Sequence, residues 1–175
     1  MANCKKNING AKSKMWLVFH RDDLLYDIET YAFVEGDVLP PEFHGAHQIS
    51  DIAQEGNEDM VTRMFNLAHA ECMEALYPYT KAECHPHGIL ENTLETPKSY
   101  YISLDLPEGF SRTTVGLIKE LVHNYFVVKV ISEWIGMLYP DMRPYWERRL
   151  EEIKNRLKTA TIPRRNRLRI KQSLF

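Results

Sequence analysis

With 175 residues, 44% of them hydrophobic, the chain is long enough for one core and carries no break in composition that marks a second. Its formal net charge of -2 conceals a segregation: residues 1–14 hold Lys5, Lys6, Lys12 and Lys14 without an acid, residues 156–175 hold seven Lys and Arg without an acid, and all 24 carboxylates lie between, against 11 cations. Basic ends on an acidic body favour a docking or assembling protein, and the longest apolar stretch, around 125–139, is broken by Lys129, Ser132 and Glu133 and so excludes a membrane span.

No charged, apolar and small-residue segments follow one another at the start, so secretion is not expected. Cys4, Cys72 and Cys84 are too few and too scattered for a disulfide framework, which points to synthesis in a reducing cytoplasm.

In chain order, the apolar run 14–19 extends as a strand or anchors the basic arm. Asp22 or Asp23 supplies an N-cap oxygen for a first helix, in which Leu24, Leu25, Ile28, Tyr31 and Ala32 recur at helical spacing until Gly36. Pro40-Pro41 breaks the chain, and His47 to Gln54 reads as a short helix. Asn57, followed by Glu58 and Asp59, marks the next start, with Val61, Met64, Phe65, Ala68, Cys72, Ala75, Leu76 and Tyr79 on one stripe. That helix ends at Tyr77-Pro78.

Beyond it the period changes to two. Tyr100, Ile102, Leu104 and Leu106 alternate with Tyr101, Ser103 and Asp105, as in a half-buried strand, and 79–84 is the expected antiparallel partner across a loop at 85–98. Ser111 then caps a long helix running to Tyr139-Pro140, whose apolar residues from Val115 through Trp134 to Leu138 cover more than one face. It is the expected spine. Asp141 caps a last helix with Trp146, Leu150, Ile153, Leu157 and Ala160 on one stripe, ended by Pro163. The expected architecture is mainly α: a helical bundle around one long central helix, with an inserted β-hairpin near 79–106 and extended basic termini. It divides into a basic arm at 1–19, a domain at 20–162 and a basic arm at 163–175.

Cys84-His85-Pro86-His87, with Cys72 upstream, has the residue types that bind zinc. There is no C-x2-C pair, however, and Cys72 falls on an apolar stripe where a buried thiol is the ordinary outcome. Cys84, His85 and His87 therefore read as a solvated loop, and no metal is expected. His20, His44, His47, His69 and His123 are scattered. The chain lacks G-x-S-x-G, H-E-x-x-H and both glycine-rich nucleotide motifs, so neither enzyme activity nor a cofactor is expected.

The C-terminal arm is the expected functional element. Arg164, Arg165, Arg167, Arg169 and Lys171 place five cations within eight residues, while Leu168 and Ile170 alternate with the last three. Such a segment suits an arm that docks on the acidic surface of a neighbouring subunit. The alternative is a small DNA-binding accessory protein that neutralises phosphates with this tail. No aromatic residue interleaves the cations, which weakens a stacking mode on single strands.

The strings RDDLLYDIETYAFVEGD at 21–37, HQISDIAQEGNEDMVTR at 47–63, LYPYTK at 76–81 and LPEGFS at 106–111 give the chain a resemblance to head-tail connector proteins in tailed phages of gut bacteria. The likeness covers about 20–170, and the Cys84 to His87 loop departs from it. The resemblance implies a helical adaptor with a β-hairpin that forms a ring of its own copies, commonly twelvefold, between the portal protein and the tail or further ring proteins. It also implies a C-terminal arm that reaches a neighbour. The expected place is then the virion, in passing contact with DNA and without a membrane.

Overall fold

The computed structural model describes residues 12–38, 46–81, 93–107 and 110–162. Its elements are β1 (Lys12–His20), α1 (Arg21–Val38), α2 (Ala46–Ser50), α3 (Glu58–Ala75), α4 (Tyr77–Thr80), β2 (Ser99–Pro107), α5 (Arg112–Leu138) and α6 (Arg143–Ala160). The fold is mainly α, arranged around one long helix and completed by a two-stranded antiparallel β-element.

Helix α5 is the spine for the reason its sequence gives. Its 27 residues span about 40 Å, and every side chain from Tyr125 to Ser132 is buried, so neighbours cover it all round. Helices α1, α3 and α6 pack along it, and α2 closes one side. Phe126 lies at the centre, in ring contact with Phe19, Phe65 and Tyr100, and so joins β1, α3 and β2 to the spine. The stripe on α3 buries Val61, Phe65, Ala68 and Cys72, and that on α6 buries Trp146, Leu150, Ile153 and Leu157.

Strand β2 follows the expected alternation, but its partner is not 79–84. It pairs instead with β1, Leu17 opposite Ile102 and Phe19 opposite Tyr100, so that 12–19 belongs to the folded domain rather than to an N-terminal arm. The reason is burial: Leu17 and Phe19 are core residues. Tyr79 and Thr80 are buried as well, but within the helical turn α4, which carries Pro78 in its first turn, where a missing N–H is no loss. The Thr80 hydroxyl donates to the Met73 carbonyl at 2.8 Å, tying α4 back onto α3.

The helix starts differ in detail from the expected caps. Strand β1 runs directly into α1, so Asp22 and Asp23 lie in the first turn, where they face the positive end of the helix dipole without capping it. Asn57 stands at the N-cap of α3, yet its side chain donates to the Asp51 carbonyl at 2.8 Å. It thus fastens the two single 3-10 turns (51–53 and 55–57) that follow α2. Ser111 precedes α5, but its hydroxyl pairs with that of Thr113 at 2.7 Å. Asp141 sits in a 3-10 turn, and α6 begins at Arg143 because Pro144 suits a first turn.

Candidate functional site

The residues expected to dock, Arg164, Arg165, Arg167, Leu168, Arg169, Ile170 and Lys171, lie outside the described residues, but the root of their arm does not. The Tyr79 hydroxyl donates to the Thr161 carbonyl at 2.7 Å, the Thr161 hydroxyl donates to the Lys158 carbonyl at 2.6 Å, and the Thr161 amide donates to Leu157 at 3.1 Å. Burial pushes the Tyr79 phenol above its ordinary pKa, which keeps it a donor. The chain at Thr161, just before 163–175, is therefore fixed to α4. Beside it an open apolar groove of about 550 Å³ runs between the first half of α5 and the last turns of α6, lined by Thr114, Leu117, Leu121, Asn155, Thr159 and Ile162.

A second feature is a seam of charge between α3, α5 and α6. Lys129 lies 3.3 Å from Glu71 and 3.1 Å from Glu133, Arg143 lies 4.0 Å from Glu133 and 3.0 Å from Glu147, and the Tyr125 hydroxyl donates to Glu71. Burial works to raise the Glu71 pKa, but the Tyr125 hydrogen bond and the Lys129 charge outweigh it and hold the carboxyl below its ordinary value. Burial likewise works to lower the Lys129 pKa, and the hydrogen bonds and charges of Glu133 and Glu71 raise it instead. An ammonium held in its charged form is neither a nucleophile nor a base. Burial, together with the Glu71 charge, pushes the neighbouring Cys72 thiol well above its ordinary range, so it is no thiolate at neutral pH. The seam braces three helices. Sequence reading missed it, although the four-residue spacing of Lys129 and Glu133 inside an apolar helix was a usable signal.

The third feature is the acidic body itself, concentrated on α1. Asp27 meets His123 at 2.8 Å, whereas Asp22, Asp23, Glu29 and Asp37 are exposed and have no cationic partner among the described residues. Burial raises the Glu35 pKa, with Arg149 acting against the rise. Exposed among these acids stand Tyr26, Phe33, Val34 and Val38.

Cys84, His85, His87 and His44 lie outside the described residues. Of the other histidines, His20 pairs with the Ser99 hydroxyl at 2.9 Å, His69 with the Tyr101 carbonyl at 2.9 Å, and His123 with Asp27. No three metal-ligating side chains cluster among the described residues, and no described helix is long and apolar enough to cross a membrane. No family model matches the chain, and neither a curated protein nor a solved structure is significantly similar to it.

Proposed function

We propose that this chain is a structural virion protein, the adaptor that forms a ring between portal and tail in the head-tail connector of a tailed phage. The observation that carries the reading is the charge segregation: a body with 24 acids against 11 cations, between ends that hold only cations. Copies built this way attract one another end to body, which is the head-to-tail contact that a closed ring requires. An acidic body also suits a lumen through which DNA must pass, since a cationic wall would hold the moving polyanion. The resemblance of 21–37, 47–63, 76–81 and 106–111 to connector proteins gives the ring its place, with the portal above and tail or further ring proteins below.

The basic tail supports a second reading, non-specific DNA binding by Arg164 to Lys171. Two measurements separate them. The adaptor reading expects the purified protein to assemble into a ring, alone or on the portal protein, visible by native mass measurement and traceable in an image of the virion connector. It is overturned by a chain that stays monomeric with the portal protein present and binds duplex DNA with an affinity that falls steeply with salt.

A further inference from the structure

We propose that the outer face of α1 receives the basic C-terminal arm of the adjacent copy, an inference that rests on the ring-adaptor reading and gives its contact two named surfaces. Asp22, Tyr26, Glu29, Phe33 and Asp37 recur at intervals of three and four, so they form one stripe along the helix. The stripe alternates acid and aromatic over about 22 Å. Its acids and rings are all exposed, Tyr26 at 71% and Phe33 at 66%.

One acid of the stripe stands where it does not serve its own helix. Carboxylates in the first turn of α1 complement its dipole, but Asp37 stands in the last turn, which has no basic residue to offset it. A surface that keeps a carboxylate against the dipole, and acids without a cationic partner among the described residues beside bare aromatic rings, is built to meet cations from elsewhere. DNA and an anionic membrane are repelled by it, and an uncharged apolar partner would strip water from the carboxylates without replacing it.

Guanidinium fits both halves of the pattern, since its plane stacks on a ring while its N–H groups donate to a carboxylate. The inner edge of α1 already shows the stacking half of this chemistry. Arg149 lies over the Tyr31 ring at 5.1 Å and the Trp146 ring at 5.3 Å, and donates to the Tyr31 hydroxyl at 3.0 Å. The chain carries a matching ligand in Arg164, Arg165, Arg167, Arg169 and Lys171. The eight positions 164–171, fully extended, would cover about 26 Å, close to the length of the stripe. Arm and stripe are different patches of one molecule, so their pairing is head to tail and propagates around a ring.

Full-length protein with opposed charge reversals tests the assignment. Glu29→Lys with Asp37→Lys weakens self-association, followed by sedimentation at low salt, by about tenfold, as does Arg167→Glu with Arg169→Glu; all four together recover it to within about threefold. Because Asp37→Lys favours the dipole, the first pair leaves the melting temperature unchanged or higher, which separates lost contact from lost fold. A photo-crosslinking residue at Leu168 joins two copies through a peptide containing Tyr26 to Asp37. Association of wild-type chains with crosslinks elsewhere, crosslinks within one chain only, or no recovery in the fourfold variant overturns the α1 assignment and leaves the ring reading standing. Failure to associate alone or on the portal protein removes both. An arm that binds duplex DNA and ignores the Glu29 and Asp37 changes overturns the assignment in favour of the DNA reading.

Discussion

Trp134 is 5% exposed, and its indole N–H donates to the Ile49 carbonyl at 3.1 Å, so one side chain both fills the core and fastens α2 to the spine. Trp134→Ala is expected to cost about 3–5 kcal/mol in urea unfolding, and Trp134→Phe about 1–3 kcal/mol, since the smaller ring leaves part of the site unfilled and the Ile49 carbonyl without its donor. The core position was legible from the apolar residues around it; the bond to Ile49 was not, since a backbone acceptor on a distant element leaves no local trace. Glu71 contributes to the acid response. Its carboxyl is held below its ordinary value in the fold, so the unfolded chain binds that proton more tightly; the stabilisation is complete above the ordinary carboxylate pKa of about 4.3 and drains as pH falls through the lower folded value. Glu71→Gln is therefore expected to cost about 1–2 kcal/mol at pH 7 and less at pH 3. Denaturant midpoints at the two pH values check it, and an equal loss at both would remove the charge from the explanation.

At the scale of elements, the three long helical stripes and the alternation of β2 were readable because each is periodic within its own sequence. The partner of β2 was not. Strand β1 lies more than 75 residues away in the register, His20 against Ser99, and no turn residue between two strands signals a pairing of that span. The run 14–19 read as either a strand or an anchor for the arm, and a continuous apolar run does not say which strand it joins. The consequence is testable by truncation. Removing residues 1–20 takes away Leu17 and Phe19 and leaves β2 without its ladder, with Phe126 losing one of its ring neighbours and Tyr100 its cross-strand partner. Since burying a single Phe or Leu is worth about 1.5–3 kcal/mol and whole domains are stable by only about 5–15 kcal/mol, this truncation is expected to abolish the cooperative thermal transition and the near-ultraviolet circular dichroism. A sharp transition near the wild-type temperature would mean that the sheet is not part of the core.

For the whole molecule, the opposite truncation has the opposite result. Segregated charge was plain in the sequence, and so were the cations beyond Pro163; the surface proposed to receive them was not, because exposure of Tyr26 and Phe33 depends on which face of α1 the spine covers. Deleting 163–175 removes five cations but no part of the described core, whose last residues, Leu157 and Thr161, are held by α6 itself and by Tyr79. The shortened protein is expected to keep its helical circular dichroism and its melting temperature. It is expected to lose assembly all the same, because each exposed ion pair is worth only about 0–1 kcal/mol and only many of them, repeated around a closed ring, amount to a stable contact. Single Arg→Ala changes in the arm are accordingly mild while the full deletion is severe, and raising salt mimics the deletion by screening every pair at once. If heads and tails joined normally in virions made with the shortened chain, or if the deletion unfolded the isolated protein, the arm would be something other than a docking element.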